Sequence, residues 1–238
     1  VPDKKPEKIT LPIVFTIIAP PKTGKTYYAC TCPERVVIYS FDLGAKIVVA
    51  RPEFKGKDIV VREYPLPIVD SVQGKGQQED IKTVWDAFSK DYQKDIADPK
   101  VNTLVIDTGT HLYEIARIAR SKELGQTNLL QHQYGDVYAR IRALIQRARL
   151  ANKSLVITHH VRDKYVDDKN TGEVEQDGCK IIPGEADVVM WLTKKTTKVE
   201  GRMRVVTTAR ISDSRWREIE GMEFDNPSYD DILAMLGL

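Results

Sequence analysis

Residues 17–29 read IIAPPKTGKTYYA, an apolar strand end that passes two prolines and enters Gly24-Lys25-Thr26 before a helix-forming stretch. The spacing follows the phosphate-gripping pattern G-x-x-x-x-G-K-[ST], with Ala19 in place of the first glycine. A strand that turns through such a loop into a helix start presents backbone N–H groups to an anion, aided by the positive end of the helix dipole. Gly24 lets the backbone curl close to phosphate, Lys25 supplies the charge that reaches the outer phosphates, and Thr26 offers a hydroxyl to Mg²⁺. Ala19 stands where the chain leaves the strand with little room for a side chain, and alanine is the smallest substitute for glycine. Pro20 and Pro21 remove two donors, but the N–H groups aimed at phosphate come mainly from Lys22, Thr23, Gly24, Lys25 and Thr26. The prolines therefore stiffen the turn without emptying the anion site. Ala19 to Tyr27 is the expected ATP-binding segment.

The flanking sequence says what kind of sheet carries this loop. Ile13 to Ile18 is a near-continuous apolar run, as a strand covered on both faces requires. Pro33 cuts the following helix short, and Val36 to Phe41 is a second buried-type strand that ends at Asp42. Asp58 to Glu63 is a third candidate. Ile81, Val84, Trp85, Phe88 and Tyr92 fall at helical spacing, and Val101 to Ile106 is a strand that ends at Asp107. A second helix stripe, Val137, Ile141, Leu144, Ile145 and Ala148, feeds the strand Ser154 to Thr158, which finishes at His159-His160. Strands alternating with helices imply right-handed crossovers and a mostly parallel sheet flanked by helices. After His160 the pattern changes. Arg162 to Val166 and Glu173 to Ile182 flank the turn-rich DDKNTG and predict a hairpin, and Val188 to Leu192 and Arg204 to Ile211 predict antiparallel additions. The expected architecture is an α/β fold, with residues 1–10 a flexible arm and residues 11–238 one domain.

Composition limits the function classes. With 238 residues, 42% hydrophobic and 29% charged, the chain can bury a substantial core. A net charge of +2 means that any nucleic-acid binding depends on a local patch rather than a global field. Three cysteines and four scattered histidines form neither a disulfide framework nor a finger-like zinc spacing, which fits a reducing cytoplasm. The apolar run around Ile13 to Ala19 is too short to span a bilayer, and no signal-peptide pattern opens the sequence, so no membrane association is expected.

A phosphate-loop enzyme needs an acid at the end of a neighbouring strand to hold Mg²⁺, and TLVIDT supplies Asp107. An aspartate there also serves as a cap for the next helix, and both readings stand. Thr108 follows it, not the glutamate that activates water in many remodelling ATPases, so the base must come from elsewhere. Asp42, at the end of the strand after the loop's helix, is the candidate, with a simple turn before Gly44 as the other explanation. Ligands of open parallel sheets bind beyond the strands' carboxyl ends, which gathers Asp42, Asp107 and His160 at one edge.

Ala19 to Thr26, YSFD ending at Asp42, TLVID ending at Asp107 and LVITHHVR ending at Arg162 resemble the ATPase core of RecA-type recombinases over roughly Ile13 to Arg215. They are most similar to compact phage nucleotide-binding proteins of that class, some regarded as single-strand annealing or recombination ATPases. The resemblance implies Mg-ATP hydrolysis, with Asp42 as catalytic base and His160 where the family carries a γ-phosphate-sensing glutamine. Ordinary strand-end polarity would equally account for His159-His160, and His159 is expected to point away from its neighbour. The resemblance also implies a ring or filament in which Arg210 and Arg215 act on a neighbour's nucleotide, binding to single-stranded DNA, contact with a single-strand-binding or other recombination partner, and a phage or prophage origin in a bacterial cytoplasm. DNA-contacting loops of the family correspond to Arg162 to Lys180, where four basic residues meet six acidic ones, a poor electrostatic funnel. The basic segment TKKTTKVEGRMR, with Lys194, Lys195, Lys198, Arg202 and Arg204, is the preferred DNA patch; Arg140, Arg142, Arg147 and Arg149 read as a solvated helix face. A second reading is a slow, nucleotide-gated assembly module that engages a protein through the acidic hairpin without binding DNA.

Overall fold

The computed structural model describes residues 12–66, 77–199 and 202–237. The proposed N-terminal arm lies outside the described residues. The chain runs through β1 (Val14–Ile18), α1 (Lys25–Thr31), β2 (Val36–Ser40), α2 (Ala45–Val49), β3 (Ile59–Glu63), α3 (Gln77–Ala97), β4 (Thr103–Asp107), α4 (Gly109–Glu123), α5 (Tyr134–Leu150) and β5 (Ser154–His159). Then come the hairpin β6 (Val161–Val166) and β7 (Lys169–Gln176), α6 (Ile182–Glu185), the long pair β8 (Val188–Val199) and β9 (Arg202–Ser214), β10 (Glu223–Asp225) and α7 (Tyr229–Met235).

The main sheet has the order β10-β9-β8-β1-β5-β4-β2-β3. From β3 to β8 every pairing is parallel, and β9 and β10 add antiparallel strands at one side. The alternating strands and helices, the mostly parallel sheet, the hairpin and the antiparallel additions thus agree with the sequence pattern. β1, β2, β4 and β5 are buried at every position, which is why they read as unbroken apolar runs. Successive residues still serve opposite faces: Tyr39 packs in the layer of α3, α4 and α5, and Ile38 in the layer of α1 and α7. Phe88 and Tyr92 of α3 enclose Tyr39 and Phe41 in an aromatic cluster, and Asp95 on the same helix accepts from the Tyr39 hydroxyl (3.0 Å) and Arg62 Nε (2.8 Å). Those contacts fix α3 across β2 and β3. Cys30, Cys32 and Cys179 are free and buried.

The differences from expectation lie where both faces of an element are wet or its apolar residues are small. β8 runs past Leu192 and β9 begins before Arg204 because their outer parts form an exposed two-stranded ribbon with no buried face to impose a hydrophobic alternation. Past Ile211, β9 pairs Asp213 and Ser214 with Val189 and Val188 at the base. The hairpin turns at Asp167 and Asp168, both with positive φ (49° and 59°), the mirror-image geometry that suits strand twist. β7 therefore starts within DDKNTG and stops at Gln176, and Ile182 begins the short α6 instead of ending a strand. In α4 the buried positions Gly109, Leu112, Ile115, Ala116, Ala119 and Ser121 are mostly small, so the stripe is faint in the sequence.

Candidate functional site

The phosphate loop leaves β1 at the carboxyl edge of the parallel strands. Ile18 pairs with His159 and Ser40 with Asp107, so the ends of β1, β5, β4 and β2 converge there. The Ala19 N–H donates to the His159 carbonyl at 3.2 Å, tying the loop to β5. Gly24 has φ 105°, a left-handed conformation that favours glycine. Lys25 is buried, and its ammonium donates to the carbonyls of Ala19 (2.8 Å) and Pro20 (2.9 Å); Thr23 Oγ1 donates to Pro20 O as well (2.8 Å). Ala19 and Pro20 thus supply the acceptors that hold the loop's own cation. Burial pulls the Lys25 pKa down to about 8, against the opposing fields of Asp107 and Asp42.

Asp107 is only 1% exposed, and both carboxylate oxygens are engaged. Thr26 Oγ1 donates to Oδ2 at 2.7 Å and Thr158 Oγ1 to Oδ1 at 2.5 Å. Burial, then the charge of Asp42, push the Asp107 pKa up; the two hydroxyls and Lys25 oppose them. The helix cap belongs instead to the next residue, since Thr108 Oγ1 accepts the His111 N–H at 3.3 Å. Thr158 escaped the sequence reading because a threonine inside an apolar strand is ordinary β-sequence.

Asp42 is exposed, and its Oδ1 accepts the Gly44 N–H at 2.9 Å, the turn contact foreseen for it. Its charge also acts on Lys25, Asp107 and His160, so the turn holds it at the same edge. The two histidines part as strand alternation requires. His159 is fully buried, against Gly109, where an added Cβ would come within 2.7 Å of its ring, and burial drives its pKa down to about 3. His160 is half-buried; its N–H donates to Thr110 Oγ1 (3.1 Å), and its ring lies edge-on to His111. Burial first, then the charge of Lys25, lower the His160 pKa, with Asp42 opposing. His160 Nδ1 is buried with no hydrogen-bond partner. Tyr27, beyond Thr26, is half-buried with its ring 4.9 Å from Phe54 and under the Arg51 guanidinium.

The remaining sequence candidates lie elsewhere. Arg210 is exposed on β9, opposite Trp191 and Glu223. Arg215 sits at the far end of the sheet, where its Nε lies 2.6 Å from Asp187, which also receives Arg149 and the Val14 N–H. Neither arginine joins this chain's own Asp107. Lys194, Lys195 and Arg204 are exposed on the ribbon; the side chains of Lys198 and Arg202 lie outside the described residues. Lys195 pairs with Glu223 at 3.3 Å. On the hairpin, Arg162 pairs with Glu175 and Lys164 with Glu173, so those two cations are spent within it. A contact with no sequence signal joins ribbon and loop: Thr207 Oγ1 donates to the Thr23 carbonyl at 3.2 Å.

Among the described residues no cluster of three or more His, Cys, Asp or Glu could hold a metal by itself. The pair of hard oxygens on Thr26 and Asp107 nevertheless suits Mg²⁺, which keeps several waters and takes few protein ligands. No helix among the described residues is long and apolar enough to cross a membrane. Comparison with curated proteins finds no match. The AAA domain family matches residues 11–214, a span that takes in the phosphate loop, the Asp107 strand, the hairpin and the ribbon. The match names the domain and no pathway. Since it covers most of the sequence and includes every element that converges on Lys25 and Asp107, the chain belongs to the AAA-domain family of P-loop, nucleotide-binding ATPases.

Proposed function

We propose that this chain hydrolyses ATP with Mg²⁺ and uses its nucleotide state to control self-assembly and the binding of single-stranded DNA, as a RecA-like protein of phage-type recombination or strand annealing in a bacterial cytoplasm. The observation that carries the hydrolytic part is the convergence of Lys25, Thr26 and Asp107 at one strand edge, with Asp42 and His160 beside them. In this reading the loop N–H groups and Lys25 hold the phosphates, and Lys25 exchanges the Ala19 and Pro20 carbonyls for phosphate oxygens. Thr26 and Asp107 hold Mg²⁺, which supplies charge neutralisation at the terminal phosphates. Thr158 keeps Asp107 turned toward Thr26. Asp42, exposed and close enough to influence Lys25, orients the attacking water and accepts its proton. His160, half-buried and in the field of Lys25 and Asp42, offers its ring as the contact that reports on the γ-phosphate. Arg210 and Arg215, remote from this chain's Asp107, act on the site of a neighbouring copy in a ring or filament.

The ribbon cations Lys195, Lys198, Arg202 and Arg204 support DNA binding, and a single-strand-binding or other recombination protein is the expected further partner. The ion pairs within the hairpin favour a second reading, in which that element engages a protein and the chain is a slow nucleotide-gated assembly module. Titrating salt against binding of a fluorescent oligothymidylate, with and without ATP, separates the two. The DNA reading predicts ATP-dependent binding with a log–log salt slope of about −2, from about three phosphate contacts. Absence of binding, or binding without a salt slope, favours the partner module.

A further inference from the structure

The ribbon has two faces, and they do different work. Pairing between β8 and β9 is regular from Met190 opposite Ile211 to Val199 opposite Arg202, and directly opposed residues share a face. At the base, one face carries Met190, Leu192, Ala209 and Ile211, buried in the same layer as Tyr28 and Ala29 of α1. The next opposed pair on that face is Lys194 with Thr207. Thr207 touches the phosphate loop: its hydroxyl donates to Thr23 O at 3.2 Å, and a Cβ built on Gly24 would lie 3.5 Å from it. Opposed Cβ atoms are about 4.5–5.5 Å apart, and the four-carbon stem of a lysine extends beyond that separation. Lys194 is exposed, so its ammonium is free to turn toward the loop mouth. Lys195, one residue on, lies on the opposite face, with its ammonium 3.3 Å from Glu223.

We infer that Lys194 is a nucleotide-binding residue, a second cation that the ribbon of the same chain brings to the outer phosphates, and that it is not part of a nucleic-acid patch. Thr207 is the positioning contact that keeps the ribbon against the loop. The inference rests on the ATP reading above. A loop with one buried lysine, already engaged by two backbone carbonyls, gains a mobile charge at its rim, where the triphosphate carries most of its negative charge.

The test is equilibrium binding of a non-hydrolysable ATP analogue and of ADP, with Mg²⁺ and without nucleic acid, to the full chain and to Lys194→Ala, Lys194→Arg, Lys195→Ala and Lys25→Ala. Lys194→Ala is expected to weaken the triphosphate analogue about tenfold, the scale of one lost charge-assisted hydrogen bond, and ADP by less than about threefold. Lys194→Arg keeps most of the affinity and Lys195→Ala is unchanged. Equal effects of Lys194→Ala and Lys195→Ala, or loss of oligothymidylate binding in Lys194→Ala with nucleotide affinity intact, would overturn the assignment. Failure of the unaltered chain to bind either nucleotide, or normal binding by Lys25→Ala, would overturn the ATP reading instead.

Discussion

Lys25→Ala is expected to weaken ATP binding by about 100-fold or more, which equilibrium titration with a fluorescent ATP analogue will show. Lys25 is the buried cation of the loop, and its ammonium already lies against Ala19 O and Pro20 O, where the loop closes on itself. Charge-assisted bonds from Lys25 to phosphate contribute about 1.5–3 kcal/mol each, and they outweigh the carbonyl contacts exchanged for them. Lys25→Arg is expected to fail as well, because a planar guanidinium cannot replace a point charge between two carbonyls about 3 Å away. Unchanged affinity in Lys25→Ala would mean that the loop grips no phosphate.

The second large effect is on chemistry alone. Asp42→Asn is expected to lower the rate of ATP hydrolysis by about 100-fold or more, while affinity for ATP stays within about threefold, since a general base contributes to the transition state and little to ground-state binding. The amide introduced by this substitution retains a carbonyl oxygen to accept the Gly44 N–H, so the turn survives and the comparison isolates the carboxylate. Phosphate release measured beside nucleotide binding reads both quantities. Turnover equal to that of the unaltered chain would remove Asp42 from the mechanism and leave it a turn residue.

The parts of the site that could be read from the sequence are those in which chemistry is local. Gly24-Lys25-Thr26 lies in one loop, and Asp107 and Asp42 each close an apolar run, so strand and ligand are read in the same few residues. The departure at Thr108, where many remodelling ATPases carry glutamate, is equally local and coexists with membership of the AAA-domain family. Parity along β5 was also legible: neighbouring strand residues face opposite ways, and His159 is buried while His160 is half-exposed. Contacts that close only in three dimensions left no trace. Thr207 and Thr23 are 184 positions apart, and Thr158 reaches Asp107 across 51 positions from a strand whose composition looks purely structural. The length of the β8–β9 ribbon was hidden because exposed strands carry no hydrophobic period, and α4 because glycine, alanine and serine make a weak stripe. The pairing of Arg215 with Asp187 at the opposite end of the sheet likewise left no trace in the sequence.

The most direct measurement of the central claim is phosphate release from ATP by the purified chain across a Mg²⁺ titration, beside Lys25→Ala and Asp42→Asn. The convergence of Lys25, Thr26, Asp107 and Asp42 predicts turnover that rises with Mg²⁺, vanishes in chelator and is lost in both variants. Turnover that persists without Mg²⁺ or in Lys25→Ala, or a chain that binds Mg-ATP and never releases phosphate, would contradict it.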